Sequence, residues 1–103
     1  MNEIIEDFCK AWQTLDSTLI IKHLDKNFRY DSQWVFESLD YNGYVEYITG
    51  KFQTLKEHRC SISVEIVDDG GSKMLKLTQN EQICFYRIKI SNGKVTKGDM
   101  CMF

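Results

Sequence analysis

The second half of the chain contains the pattern that most restricts the fold. From residue 59 onward, apolar side chains recur at every second position, which is the period of a strand whose alternate residues face opposite sides of a sheet. We predict strands over residues 59–67, 73–79, 82–90 and 94–103, joined by Asp68-Asp69-Gly70-Gly71, Asn80-Glu81 and Asn92-Gly93. Asn-Gly favours a two-residue type I′ turn, because both central residues need positive φ. This half is therefore expected to form an antiparallel meander.

The first half of the chain shows the helical period instead. Apolar residues recur there at spacings of three and four, which predicts one apolar face on each helix. We expect helices over residues 3–15 and 17–26, and a third that runs from Asn42-Gly43 to His58. Gly50 inside the third helix costs about 1 kcal/mol relative to alanine, which predicts close backbone packing at that point. Helices with one early strand, followed by a meander, predict an α+β fold in a single domain over residues 1–103.

Composition argues against several classes of protein. The net charge is −2 and no basic stripe is present, so a nucleic-acid partner is not expected. No apolar run is long enough to cross a membrane, and the acidic start MNEIIEDF does not resemble a signal peptide. The four cysteines form no CxxC pair, so we expect no metal or other cofactor, reduced thiols and a cytoplasmic location.

The stretch FRYDSQWVF, which begins at Phe28, alternates aromatic and polar side chains. Read as a strand, it places Phe28, Tyr30 and Trp34 on one face, with Arg29 and Asp31 on the other. This aromatic row has two interpretations. It lines a concave, largely apolar ligand cavity, or it is ordinary core in which the polar tips of the rings reach partners at the rim.

The last turn predicts which strand residues are neighbours. A two-residue Asn92-Gly93 turn places Tyr86 opposite Asp99 on the apolar face of the sheet. A carboxylate in an apolar setting must find hydrogen bonds or take up a proton. Asp99 beside Tyr86 is therefore either an anchor for a ligand or a structural hydrogen bond near the sheet edge.

The other turns complete the two predicted faces of the sheet. A four-residue loop at residues 68–71 places Val64 beside Leu75 on the apolar face. The opposite face collects Phe85, Met100 and Met102. An apolar patch on an open sheet commonly marks a partner surface, which predicts a homodimer formed through this face.

Two long segments resemble one protein family. FRYDSQWVFESLDYNGYVEYITGKFQTLK and LTQNEQICFYRIKISNGKVTKGDMCMF are similar to a bacterial group within the NTF2-like, or SnoaL-like, superfamily. The resemblance implies a cone fold, in which a curved and mostly antiparallel sheet and a long helix enclose a pocket, and dimers formed through the sheet. The superfamily includes ketosteroid isomerase-like enzymes, polyketide cyclases and non-catalytic binding subunits, so the resemblance implies a fold rather than one activity.

The leading hypothesis is a domain that binds a small apolar or aromatic molecule in that pocket. Ring faces would supply stacking surface, and one polar pair would fix the orientation of the ligand. The candidate ligand-binding residues are Trp12, Tyr30, Trp34, Tyr47, Tyr86 and Asp99.

The alternative hypothesis is an isomerase or cyclase that transfers a proton, with Asp99, Asp31 and His58 as catalytic candidates. Isomerase-like members of the superfamily carry a carboxylate base on the strand after the second helix, which is where Asp31 stands. Side chains alternate along this strand, however, and the alternation places Asp31 on the face opposite the aromatic row. An ion pair of Asp31 with Arg29 or Lys26 is the simpler interpretation there. A third alternative is a dimerisation module without a ligand.

Overall fold

Five strands form one sheet, and the helices pack against one of its faces. The computed structural model describes residues 3–32, 38–60, 62–70, 72–79 and 81–102. In chain order, the elements of these residues are α1 (Glu3–Thr14), α2 (Thr18–Ile21), β1 (Leu24–Ser32), α3 (Tyr41–Glu57), β2 (Ser63–Asp69), β3 (Ser72–Gln79), β4 (Gln82–Ser91) and β5 (Lys94–Met102). The strand order is β1-β5-β4-β3-β2, with β1 parallel to β5 and the other pairs antiparallel. The predicted α+β class is confirmed.

The long helices lie where the helical period predicted them. α1 buries Phe8 and Trp12 against the sheet. α3 begins at Tyr41 because Asp40 caps it, and the Asp40 carboxylate accepts a hydrogen bond from the Gly43 N–H at 2.8 Å. His58 caps the C-terminal end of α3, as predicted.

The prediction of close packing at Gly50 is wrong. A Cβ atom at Gly50 would meet no atom of the described residues within 4 Å. The close approach occurs instead at Gly98 in β5. There a Cβ atom would lie 2.7 Å from the Tyr86 hydroxyl oxygen and 3.2 Å from Cζ of Phe28. The sheet therefore needs a glycine where β5 passes beneath two buried rings.

The second helix is much shorter than predicted. It spans Thr18–Ile21 rather than residues 17–26, and Leu24 begins β1 instead of belonging to a helix. The backbone N–H of Val95 in β5 donates to the carbonyl of His23 at 2.8 Å. This contact draws the chain into the sheet directly after α2, so pairing with β5 overrides the helical pattern of the sequence.

β1 carries the aromatic row as far as the described residues extend. Phe28 and Tyr30 are buried, whereas Arg29 between them is exposed. The ring of Phe28 lies 4.9 Å from the ring of Tyr44 on α3, so the row faces the helical layer. Residues 33–37, which include Trp34, lie outside the described residues.

The β2–β3 hairpin has the predicted faces in a different register. Its turn holds two residues rather than four, since Asp69 pairs with Ser72, and Val64 consequently lies opposite Leu77 instead of Leu75. A shift of two positions preserves side-chain parity, so the apolar row stays on the inner face. The predicted register of β3 with β4 is confirmed, with Leu75 opposite Tyr86.

The β4–β5 hairpin has the predicted turn and then departs from the predicted register. Asn92 and Gly93 have φ angles of 52° and 76°, which is the positive-φ pair that a tight hairpin turn requires. Beyond it, Ile90 pairs with Val95 but Lys89 pairs with Lys97, so Thr96 is an additional residue in β5. A β-bulge of this kind displaces all later pairs by one position.

The bulge exchanges the two faces of β5 and corrects the prediction for Asp99. Tyr86 lies opposite Met100, whose side chain is buried at 5% exposure, and Asp99 lies opposite Arg87 on the outer face. Asp99 is therefore not a neighbour of Tyr86 on the inner face. A single extra residue suffices, because strand side chains alternate with a period of two.

The same shift changes the predicted outer patch. Met100 lies on the inner face, and Met102 takes the inner register position opposite Cys84. Phe85 keeps its predicted outward position and is half-buried. Phe85 therefore lies on the outer face as predicted, whereas Met100 does not.

Candidate functional site

Four tyrosines on β1, α3 and β4 pack against one another on the inner face, and we call Tyr30, Tyr44, Tyr47 and Tyr86 the tyrosine cluster. The ring of Tyr30 lies 4.6 Å from that of Tyr44, 5.6 Å from that of Tyr47 and 6.0 Å from that of Tyr86. The hydroxyls of Tyr44 and Tyr86 share a buried hydrogen bond of 2.8 Å. The cluster thus joins the edge strand, the long helix and the centre of the sheet.

Burial keeps the phenols of Tyr44, Tyr47 and Tyr86 protonated. Desolvation raises the pKa of Tyr44 and of Tyr86 well above that of an exposed phenol, because a buried phenolate would lose its hydration. Desolvation also raises the pKa of the half-buried Tyr47, against the opposing effect of a hydrogen bond from Tyr30. These groups can donate or accept hydrogen bonds at neutral pH, and they do not act as bases.

A cavity of about 260 Å³ lies beside the tyrosine cluster, between the long helices and the ends of three strands. α1 and α3 supply one side, and β3, β4 and β5 supply the other. Its lining is mostly apolar, as expected of small-molecule sites. The described lining residues are Trp12, Tyr47, Lys51, Ile62, Leu77, Gln79, Gln82, Cys84 and Met100.

The polar groups of the cavity are few. Lys51 is the only charged side chain among its described lining residues, and Gln79 and Gln82 are paired residues on either side of the β3–β4 turn. No carboxylate and no imidazole belongs to this part of the lining. The arrangement can hold an acceptor group, but it offers no carboxylate or imidazole to remove a proton from a ligand.

Trp12, one of the lining residues, carries a buried indole donor. Its side chain is 2% exposed, and its ring packs edge-on against Phe52 at 4.9 Å. The indole Nε1 has no acceptor among the described residues. A buried N–H without an acceptor is costly, so it is expected to have a partner in the working protein.

The structure brings only part of the predicted ligand site to the cavity. Trp12 and Tyr47 line it. Tyr30 and Tyr86 lie deeper, in the closed tyrosine cluster, at 1% and 0% exposure. Trp34 lies outside the described residues.

The three catalytic candidates lie away from the described cavity lining. Asp31 and Asp99 are paired neighbours of β1 and β5 on the outer face. Asp31 accepts a hydrogen bond from Ser38 and lies 3.6 Å from Lys97 Nζ, rather than pairing with either predicted cation. His58 is exposed at the end of α3.

Sequence reasoning missed Lys51, Gln79, Gln82 and Met100 as lining residues. Lys51 follows Tyr47 by four positions on α3, and side chains at that spacing lie on the same helix face. Because Tyr47 was already a candidate, this spacing could have predicted that Lys51 lies at the same site. Met100 could not be found without the bulge, because the simple hairpin register turns it outward.

The described part of the chain gives little support for a metal site, a membrane-spanning helix or a reactive thiol. No group of three or more His, Cys, Asp or Glu side chains there is arranged to hold a metal ion. None of the described helices is long and apolar enough to cross a membrane. Cys9 and Cys60 are free thiols, and burial raises the pKa of Cys9, which lowers its reactivity.

Comparison with known proteins identifies the fold. No family model matches the chain, and no curated protein matches it either. A SnoaL-like protein of unknown function from Burkholderia thailandensis matches with a TM-score of 0.80 at 11% identity, over 99% of this chain and 93% of that one. An NTF2-like protein of unknown function from Cytophaga hutchinsonii gives 0.66 at 12% identity, over 97% and 87%.

A third solved structure is named after an enzyme. A Kribbella flavida protein, named provisionally as a ketosteroid isomerase, matches with a TM-score of 0.66 at 13% identity, over 97% of this chain and 75% of that one. Likeness at such low identity concerns the path of the backbone and not the chemistry of the site. On the evidence of its helices, its sheet and these matches, the chain has the NTF2-like fold.

Proposed function

We propose that this protein binds a small apolar or aromatic molecule in the cavity beside the tyrosine cluster. The observation that carries the proposal is the unfilled, mostly apolar space of about 260 Å³ between the long helices and the sheet, with Trp12 and Tyr47 among its lining residues. The volume of about 260 Å³ lies just below the range of about 300–1,000 Å³ for drug-sized ligands, so the ligand is a small one.

Binding accounts for this site better than proton transfer does. A general base must come within hydrogen-bonding distance of the proton that it removes. Asp31 and Asp99 lie on the outer face, and His58 lies at the exposed end of α3, so none of them faces a ligand in the described cavity. The structural likeness to a provisionally named isomerase therefore supports the fold and the pocket, and not that activity.

A matched pair of variants tests the binding site with 2-naphthamide as the probe. Gln82 is exposed at the cavity mouth, so Gln82→Trp places a large ring there without disturbing the core. Gln53→Trp makes the same change on an exposed part of α3 that does not line the cavity. We expect calorimetric titration to show binding to the wild type and to Gln53→Trp, and at least tenfold weaker binding to Gln82→Trp. Equal binding to both variants, or no binding to the wild type, contradicts the proposal.

We also propose that two copies associate through the outer face around Phe85. Ile83, Phe85 and Met74 are half-buried apolar residues on that face, opposite the helices. Sedimentation of Phe85→Lys should show a monomer where the wild type shows a dimer, whereas Ile90→Lys, a change of equal chemistry outside the patch, should leave the dimer intact. A wild-type monomer at high protein concentration would contradict this part of the proposal.

The free thiols favour a reducing compartment. Cys9 and Cys60 form no disulfide, and cytoplasmic proteins ordinarily keep their thiols reduced. We therefore retain the cytoplasmic location as a proposal. Fractionation of cells that express the tagged chain would test it, and recovery outside the cytoplasmic fraction would contradict it.

A further inference from the structure

We propose that the molecule held in the cavity is an apolar monocarboxylate whose carboxylate pairs with Lys51. The inference rests on the proposed function, because it names the chemical class of the ligand for the same cavity. Three observations support it: the lack of an anionic partner for Lys51 among the described residues, the hydrogen-bond donors near Lys51, and the apolar character of the remaining lining.

Lys51 is a cation on α3 that has no anionic partner among the described residues. It lies one turn after Tyr47 on α3 and is half-buried at the cavity. Within the described part of the chain it forms no ion pair. Lys76, which is also partly buried, lies 3.6 Å from Glu65, and the exposed Lys97 lies 3.6 Å from Asp31. The ammonium of Lys51 is therefore available to an anionic ligand, whereas the ammonium groups of Lys76 and Lys97 already have carboxylate partners.

The neighbouring groups complement a carboxylate. A carboxylate accepts hydrogen bonds at two oxygens, and the side chains of Lys51, Gln79 and Gln82 supply N–H donors around the same space. No described lining residue carries a negative charge that would repel an anion. Partial exclusion of water strengthens the attraction between an ammonium and a carboxylate relative to an exposed pair.

The rest of the lining sets the other properties of the ligand. Trp12, Tyr47, Leu77 and Met100 present ring faces and aliphatic surface, which fit an apolar body. A single cation matches a single negative charge. A phosphate ester would leave a second charge without a partner, whereas phosphate sites usually carry several donors or cations.

The test compares two probes of the same shape, 2-naphthoate and the neutral 2-naphthamide, by calorimetric titration of the whole chain. Lys51→Met removes the charge and keeps an unbranched apolar stem. Lys56→Met is the matched control, because Lys56 is an exposed lysine of the same helix that does not line the cavity. Each protein is titrated at low and at high salt.

We expect the wild type and Lys56→Met to bind 2-naphthoate about tenfold more tightly than 2-naphthamide, which is the usual contribution of a hydrogen bond to a charged group. Lys51→Met should lose this preference. High salt should weaken binding of the acid to the wild type and leave binding of the amide unchanged.

The negative outcomes of these titrations can be distinguished. Equal affinity of the wild type for the two probes, or a preference that persists in Lys51→Met, overturns the carboxylate inference while the binding site stands. Absence of binding by both probes removes the proposed function and this inference together.

Discussion

Two neighbouring regions of the inner face differ in how completely side chains fill them. In the tyrosine cluster, rings pack against rings, and the buried hydroxyls of Tyr44 and Tyr86 are each other's partners at 2.8 Å. In the adjoining cavity, about 260 Å³ remains unfilled, and Trp12 Nε1 has no acceptor among the described residues. Trp12 touches both regions, since its ring also lies 6.3 Å from that of Tyr86.

The filled region stabilises the fold, whereas the unfilled region can accommodate a ligand. A region with filled space and paired polar groups contributes stability and has no place for a ligand. A region with an apolar wall and unpaired donors sacrifices some stability, which natural proteins commonly do at functional sites. Substitutions in the first region should therefore change unfolding, and substitutions in the second should change binding.

The largest expected effect comes from the same truncation made in each region. Leu75→Ala removes a fully buried side chain in the filled region and should lower the free energy of unfolding by about 3–5 kcal/mol. Leu77→Ala, two positions along β3, enlarges a cavity that already exists and should cost less, about 2–3 kcal/mol. Urea denaturation measures both. A loss at Leu77 equal to or greater than that at Leu75 would show that the cavity wall is packed as tightly as the core.

A second pair of substitutions compares a glycine at the filled region with one on the surface. Gly98→Ala drives a methyl group towards the Tyr86 hydroxyl and should destabilise the protein by about 1–3 kcal/mol. Gly50→Ala on α3 meets no described atom within 4 Å and should stabilise it by about 1 kcal/mol. Thermal unfolding of the two variants should move in opposite directions. A neutral Gly98→Ala variant would mean that the rings above β5 are free to shift.

The hydrogen bond inside the tyrosine cluster should show coupling. Tyr44→Phe leaves the buried Tyr86 hydroxyl without its partner, at a cost of about 1–2 kcal/mol. Adding Tyr86→Phe removes the orphaned group as well, so the double variant should recover part of that loss. A double-mutant cycle from urea denaturation gives the coupling energy. Strict additivity would mean that the two hydroxyls do not interact in solution.

The smallest effect is expected at an ion pair far from both regions. Asp7 accepts a hydrogen bond from His23 at 2.7 Å, and this contact, together with Lys22, lowers the pKa of Asp7 below 3.8 despite partial desolvation. A lowered folded-state pKa contributes stability above the unfolded value, and that stability is lost as the pH falls through the folded value.

Comparison with Asp7→Asn isolates that contribution. The wild type should be slightly more stable than the variant near pH 5, and the difference should shrink as the pH falls below 3.8 and through the lower folded-state pKa of Asp7, as followed by urea denaturation. A difference that stays constant down to pH 2 would contradict the assignment. The exchange should leave probe binding unchanged, since Asp7 does not line the cavity.

Much of the fold follows from periodicity and turn chemistry in the sequence. The meander, its Asn92-Gly93 turn and the inner faces of β2, β3 and β4 were predictable, because parity survives a register error of two positions. α2 was not, because the pairing of its C-terminal flank with β5 depends on residues about seventy positions away. Long-range pairing is not visible in a local pattern.

The site was less predictable than the fold for a physical reason. One additional residue, Thr96, reverses every later side chain of β5, and it moved Asp99 out of the predicted site and Met100 into the cavity. A warning was present, since the simple register places two charged residues, Lys97 and Asp99, on an otherwise apolar face. Charges that repeat at the strand period on such a face indicate a bulge upstream.

The most direct test of the central claim, that the cavity is a binding site, is the indole ¹H–¹⁵N signal of Trp12 during titration with 2-naphthamide. Trp12→Phe identifies that signal by its loss. We expect this signal to shift at saturation, because Trp12 lines the cavity that the probe fills. A Trp12 signal that stays in place while the probe binds elsewhere would contradict the account.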